Sequence, residues 1–323
     1  MSTLIVPCVG RKLINGIPRY LNRHPNGKLL LERSIEGVYA GCYQRVLVVL
    51  LKDDVERFHA DEVIRRELKR YPIELVALEE MTSGPAETVY RAICAAAVTG
   101  AVVIKDADNY LKTRETPQGN FVAGLDLNTW DRDVHNLREK SFLIVNEQGN
   151  LLDIIEKQVR SDVICLGLYG FRKAEDFIMA YRQLNDGTYP ITKLYVSHII
   201  SYLIGYSGRV FRYAPSGEYE SWGDERHWKD LQRDHALFFV DLDHVTEDGA
   251  LSAERIEKLR SLRNRGATFI GFTVADEERM RPALQQLREA GVELLRVIPN
   301  CPYSERREII ASGSELEEKT MEL

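Results

Sequence analysis

The stretch Ala101-Val102-Val103-Ile104-Lys105-Asp106-Ala107-Asp108-Asn109 is an apolar run that stops at two acids spaced two apart. Short apolar runs bounded by polar turn residues predict buried strands. Three more precede it, Thr3 to Cys8, Arg45 to Leu51 and Ile73 to Leu78, and helical spacing lies between them, as in Leu30, Leu31, Ile35 and Val38. Strand and helix in alternation predict a parallel sheet covered on both faces. Ligands of such sheets gather beyond the carboxyl ends of the strands. On extended backbone Asp106 and Asp108 share a face, which suits a hard divalent cation bridging triphosphate oxygens. The alternative is a polar turn that only caps the strand.

Beyond Lys105 the rhythm changes. Lys140 to Asn146 and Leu151 to Glu156 flank Glu147-Gln148-Gly149 as a hairpin, and a strand follows from Val163 to Phe171, so the sheet acquires an antiparallel extension. Helices are expected over Ala174 to Leu184 and Lys193 to Ile204, then a short strand over Arg209 to Tyr213. The charged stretch Gly223 to Asp230 reads as a connection to a second β-α-β series. That series comprises strand Ala236 to Asp241, helix Ala253 to Arg263, strand Thr268 to Phe272, helix Asp276 to Ala290 and strand Glu293 to Val297. A boundary near Arg233 gives domains 1–233 and 234–323. The expected fold class is α/β: a mixed, mostly parallel sheet flanked by helices, with a smaller α/β domain behind it.

Composition narrows the function classes. A chain of 323 residues suits about two domains, and a net charge of -6 argues against broad nucleic-acid binding. Five scattered cysteines without C-x-x-C spacing fit a reducing cytoplasm. No apolar stretch approaches the length of a membrane span.

Other segments offer polar groups at strand or helix ends. After the first strand, Pro7-Cys8-Val9-Gly10-Arg11-Lys12 presents backbone N–H groups and two bases to phosphates, or forms a plain turn. Thr82-Ser83-Gly84-Pro85-Ala86-Glu87-Thr88 combines a glycine with a helix start, which lets a planar base approach the backbone or simply caps the helix. Glu156-Lys157, ending the hairpin, would hold a hydroxyl and a phosphate, unless it is a solvated surface pair.

Taken in order over residues 1–230, these pieces resemble the sugar-phosphate nucleotidyltransferase superfamily with the glycosyltransferase-A-like fold. Pro18-Arg19-Tyr20-Leu21 with His24-Pro25-Asn26-Gly27-Lys28-Leu29 is similar to the segment after that family's phosphate loop. The Thr82 to Thr88 segment resembles its base-binding turn and Lys105 to Asn109 its metal segment. Ile155-Glu156-Lys157 with Cys165-Leu166-Gly167-Leu168-Tyr169-Gly170-Phe171 resembles its acceptor-phosphate strand pair. The resemblance implies in-line attack of a substrate phosphate on the α-phosphorus of a nucleoside triphosphate, with pyrophosphate leaving. Asp106 and Asp108 would hold Mg²⁺; Arg11, Arg19 and Lys28 would steady the triphosphate, with Pro7, Gly10, Ser83, Gly84 and Glu87 around the nucleotide. Lys157 would grip the acceptor, with Glu156 and Gly167 beside it. The chain departs from the family in its short loop between Gly10 and Pro18, in Arg19 where lysine is common, and in Ser221 where a second metal carboxylate often stands, leaving Glu220 or Asp224 as substitutes. Surface polysaccharide assembly is the pathway implied. The competing expectations are a glycosyltransferase using a nucleotide sugar and a nucleotide-binding regulator that has lost turnover.

In the second domain Phe238-Phe239-Val240-Asp241-Leu242-Asp243 ends a strand in two acids, and Gly271-Phe272-Thr273 ends the next in a hydroxyl. This resembles the haloacid-dehalogenase phosphatase superfamily, in which Asp241 would attack phosphorus, Asp243 handle the proton and Thr273 hold phosphate. His244 replaces the usual small residue, and the tail around Ile309 to Gly313 lacks the family's later aspartates. A domain kept for stability, homo-oligomerisation or ligand sensing is the other expectation.

Overall fold

The computed structural model describes the chain apart from residues 1, 11–12, 15, 40, 115–116, 131–133, 188–192, 236, 244–250, 265 and 302–323. Arg11, His244 and the tail segment at 309–313 lie outside the described residues. The chain forms two compact units, Met1–His227 and Trp228–Leu323.

The large unit contains β1 (Ser2–Pro7), β2 (Leu13–Ile14), β3 (Ile17–Pro18), β4 (Arg45–Leu51), β5 (Ile73–Leu78), β6 (Ala101–Lys105), β7 (Asn109–Thr113), β8 (Phe121–Asp126), β9 (Phe142–Val145), β10 (Leu151–Ile155), β11 (Val163–Phe171) and β12 (Arg212–Ser221). Its helices are α1 (Leu30–Glu36), α2 (Lys52–Phe58), α3 (Ala60–Glu67), α4 (Pro85–Ala95), α5 (Ala174–Leu184) and α6 (Val196–Ser207), and α7 (Glu225–Asp234) begins at its end. The ten-stranded sheet runs β5-β4-β1-β6-β11-β8-β12-β7, with the β9-β10 hairpin attached to β11. The β5, β4, β1 and β6 pairings are parallel; β11 is antiparallel to β6 and to β8.

Alternation along each strand sorts its side chains into two cores. Ile5, Leu47 and Val49 pack with α4, α5 and α6 on one face. Leu4, Val6, Val46 and Val48 pack with α1 and α3 on the other. Because both faces are covered, β4 is buried from Val46 to Leu51.

Several elements differ from the sequence expectation. The sequence expectation names no strand in the stretch that forms β7 and β8. The short strand expected at Arg209 to Tyr213 is instead the ten-residue β12. The charged connection from Gly223 contains α7, and α6 starts at Val196 rather than at Lys193.

The small unit is a parallel sheet ordered β13 (Leu237–Asp241), β14 (Thr268–Phe272) and β15 (Leu294–Ile298). Side chains of α8 (Ala253–Asn264) and α9 (Glu277–Glu289), including Leu259, Met280 and Leu287, join Val240 and Phe269 in its core.

Candidate functional site

A cavity of about 630 Å³ opens beyond the carboxyl ends of β1 and β6. One wall is Pro7 to Gly10. Beside it stand Pro18, Arg19 and Tyr20, held from below by the Tyr20 hydroxyl, which donates to Asp54 Oδ2 at 3.0 Å. A second wall is Met81 to Pro85 ahead of α4. Gly84 there passes so close to Leu194 that a Cβ would sit 2.6 Å from its carbonyl oxygen.

The floor is the end of β6. Asp106 N–H donates to Gly167 O at 2.8 Å, across the antiparallel β6-β11 pairing. Gly167 has φ +73, and a Cβ on it would lie 2.8 Å from Asp106 Cβ and nearer still to the carboxylate, so only glycine fits. Burial, and then the charge of Asp108, push the Asp106 carboxyl well above the usual carboxylate range, against the pull of Lys105 and Lys140. Burial would raise Asp108 too, but Lys140, Arg19 and Lys105 outweigh it and hold that carboxyl low. Arg19 Nη1 lies 3.6 Å from Asp108 Oδ2, which keeps 46% side-chain exposure towards the cavity.

The opposite end is built from the β9-β10 hairpin and the start of α6. Glu156 Oε2 accepts hydrogen bonds from Ser141 Oγ (2.5 Å) and Ser197 Oγ (2.6 Å). Lys157, at φ +55, adopts a backbone conformation uncommon for a side-chain-bearing residue. Its Nζ donates to Glu139 at 2.7 Å and stands 5.4 Å from the Tyr195 ring centre. Lys193 Nζ stands 5.1 Å from the same ring, and Lys140 Nζ donates to the Tyr219 hydroxyl at 3.0 Å.

Of the residues singled out from sequence, the cavity gathers Pro7, Gly10, Arg19, Ser83, Gly84, Asp106, Asp108, Glu156, Lys157, Gly167 and Asp224. Two do not line it. The Lys28 ammonium is paired with Glu36 on α1. Glu87 accepts from Ser83 N–H at 2.6 Å and pairs with Arg91 at 2.5 Å, so it acts as a helix-start cap. Asp224 lines the cavity with its oxygens engaged by His227 N–H (2.9 Å), His227 Nδ1 (2.7 Å) and Asn136 Nδ2 (2.5 Å). Burial opposes these bonds, yet they bring its carboxyl down to about 2. Sequence reading passed over Lys140, Tyr195 and Lys105. Lys105 was visible as a lone base closing an apolar run, but nothing local marks Lys140.

No protein-family model matches the chain, and no curated protein matches it by sequence. Solved structures do match. A nucleoside-diphosphate-sugar pyrophosphorylase from Vibrio cholerae RC9 superposes with a TM-score of 0.57 at 19% identity, over 72% of this chain and 100% of that one. The inositol-1-phosphate CTP transferase from T. maritima gives 0.55 at 11% identity, over 72% and 94%. A UDP-glucose pyrophosphorylase complexed with UDP-glucose gives 0.54 at 13% identity, over 72% and 97%. The fold is that of the sugar-phosphate nucleotidyltransferases. In this nucleotidyltransferase fold Asp106 and Asp108 stand at a strand end, and among the described residues no hydrogen bond or ion pair reaches the Asp106 carboxylate. A carboxylate without a donor, beside a second acid in an open cleft, fits a hard divalent cation.

The small unit also ends its first strand in two acids. Thr273 Oγ1 donates to Asp243 Oδ1, and Val274 N–H approaches Asp243 Oδ1 and Oδ2 at 3.2 and 3.1 Å. Asp243 N–H donates to Asp241 Oδ1 at 2.9 Å, and Arg255 Nη2 to Asp241 O at 2.6 Å. Among the described residues no helix is long and apolar enough to cross a membrane.

Proposed function

We propose that the large unit is a Mg²⁺-dependent nucleotidyltransferase that joins a nucleoside triphosphate to a sugar phosphate or similar phosphorylated metabolite and releases pyrophosphate. The observation that carries this reading is the cavity's distribution of charge. Two carboxylates stand at the end of β6, Arg19 and Lys140 stand beside them, and Lys157 and Lys193 stand at the far end. In-line phosphoryl chemistry needs positioning and charge neutralisation rather than a covalent group. Asp106 and Asp108 would hold Mg²⁺, with Asp224 alongside, and the bound ion would neutralise triphosphate oxygens. Arg19 would bind the triphosphate, the open turn at Ser83-Gly84 would admit the base, and Lys157 would hold the attacking phosphate with Glu156 on an acceptor hydroxyl. The named activities of the structural neighbours, two pyrophosphorylases and a CTP transferase, support the same reaction class. An activated sugar for surface polysaccharide assembly is the product we favour.

For the small unit we propose a supporting role, because Asp243, which would handle a proton, already accepts bonds from Thr273 and Val274. Hydrolysis of p-nitrophenyl phosphate by the full chain would overturn that assignment. The main reading is tested by pyrophosphate release from the common triphosphates with Mg²⁺ and a panel of sugar phosphates. Release of a nucleoside diphosphate from a nucleotide sugar, with no pyrophosphate, would make the protein a glycosyltransferase instead. Binding without any turnover would make it a regulator.

A further inference from the structure

Lys105 is wholly buried, with 0% exposure, at the last position of β6. Taking an ammonium out of water is costly unless each of its N–H groups finds a partner. Here three acceptors meet it: Asp106 O at 2.5 Å, Asn109 O at 2.9 Å and Asn109 Oδ1 at 2.9 Å. The two carbonyls between those are taken from the other side by Trp222, itself 0% exposed: Nε1–H donates to Ala107 O at 3.2 Å and backbone N–H to Asp108 O at 3.1 Å. Every backbone carbonyl from Asp106 to Asn109 is therefore held by one of two buried residues. Neither carboxylate bonds Lys105 or Trp222, and both acids line the cavity, Asp108 with Asn109 Nδ2 on Oδ1 at 3.2 Å and Arg19 beside Oδ2.

We propose that Lys105, seconded by Trp222, is a positioning residue: an internal ammonium that clamps the Asp106–Asn109 segment in its cation-binding shape before any ligand arrives. The clamp rests on the reading of Asp106 and Asp108 as cation ligands. Its physical advantage is preorganisation, since the segment need not be ordered at the moment of binding. Lys105 repels an incoming cation, so it would be a poor choice for this position were geometry not its purpose.

That repulsion makes the test directional. Hydrogen exchange of residues 104–112 in metal-free protein and Mn²⁺ binding followed by electron paramagnetic resonance would be compared for wild type, Lys105→Met, Lys105→Gln and Trp222→Phe. Lys105→Met should exchange this segment at least about tenfold faster and weaken Mn²⁺ binding by about 10- to 100-fold, although removing the positive charge alone would tighten it. Lys105→Gln, which keeps amide donors, should fall between, and Trp222→Phe, which frees only Ala107 O, should change least. Exchange at the wild-type rate, or tighter or unchanged Mn²⁺ binding in Lys105→Met, overturns the proposal. Amides of β4 report whether the fold survives; if they lose protection in Lys105→Met, Lys105→Gln decides. A wild type that ignores Mn²⁺, identically with Asp108→Asn, removes the cation reading, while the exchange comparison still decides whether the clamp exists.

Discussion

The carboxyl ends of β6 and β13 carry the same pattern, an acid, an apolar residue and a second acid, yet the two pairs are held differently. At β6 the backbone between the acids is bonded by Lys105 and Trp222; among the described residues no hydrogen bond reaches the Asp106 carboxylate, while Asp108 accepts one from Asn109 Nδ2 at 3.2 Å beside Arg19. At β13 the second acid accepts from Thr273 and Val274. Both pairs follow from a strand running out of a parallel sheet. What differs most is the first acid: among the described residues Asp106 has no donor on its carboxylate, whereas Asp241 accepts from Asp243 N–H and Asp243 in turn from Thr273 and Val274. Carboxylates held by internal donors stabilise a loop; carboxylates left over by a loop already held are available to a ligand.

Four measurements would break or sharpen that contrast. The largest effect is expected from Asp108→Asn, which should lower pyrophosphate release by about 100-fold or more and abolish Mg²⁺-dependent nucleotide stabilisation in thermal melts. Asp243→Asn should leave release within about twofold; equal losses in the two variants would dissolve the distinction. Next is Gly167→Ala, whose methyl would press on Asp106 from a left-handed backbone position. It should cost about 1–3 kcal/mol of stability and about tenfold in turnover, read by urea denaturation and steady-state kinetics. Thr273→Val removes the hydroxyl bonded to Asp243 and should destabilise the small unit by about 1–2 kcal/mol, visible as an earlier melting transition with nucleotide stabilisation unchanged.

The smallest effect concerns Asp224, which lines the cavity but belongs with the bonded acids. Its carboxyl is lowered from 3.8 to about 2. A depressed carboxyl contributes stability in full above its unfolded value and loses it as the pH falls towards the folded one. Unfolding free energies from pH 6 down to 2.5 should therefore fall more steeply for wild type than for Asp224→Asn, with a difference of about 1 kcal/mol once water in the cleft is allowed for. Parallel curves would show that the bonds to His227 and Asn136 carry no net stabilisation.

Much of the contrast was legible in the amino-acid order. β4, β5, β6 and β11 have the predicted limits, and Asp106 just beyond β6, Gly167 within β11 and Glu156 just beyond β10 line one cavity. The missed strands explain what remained hidden. β7 begins with Asn109 directly after the acids and pairs with β12 about a hundred positions later, as in the Ser221–Asn109 register, so no local period announces it. β12 contains Pro215 and Gly217, which read as breakers, and its register shifts between Ser216 and Glu218. The charged run after Gly223 looked like a connection because a strongly amphipathic helix in a short window reads as mere polarity. Lys105 and Lys140 escaped notice because a lysine's burial is decided by distant segments, and sequence offers only the default that lysines face water.

The strand that completes the site comes late in the chain, and Trp222 grips a carbonyl 115 positions upstream. A polypeptide that ends at α6 contains β6, β11 and β8 but lacks β12, the strand that covers the outer edge of β8 in the finished sheet. Without it that edge is open to strand addition from another chain, and the acids at the end of β6 lack half their grip. Release of a product truncated before Arg212 would therefore yield aggregating protein rather than a feeble enzyme.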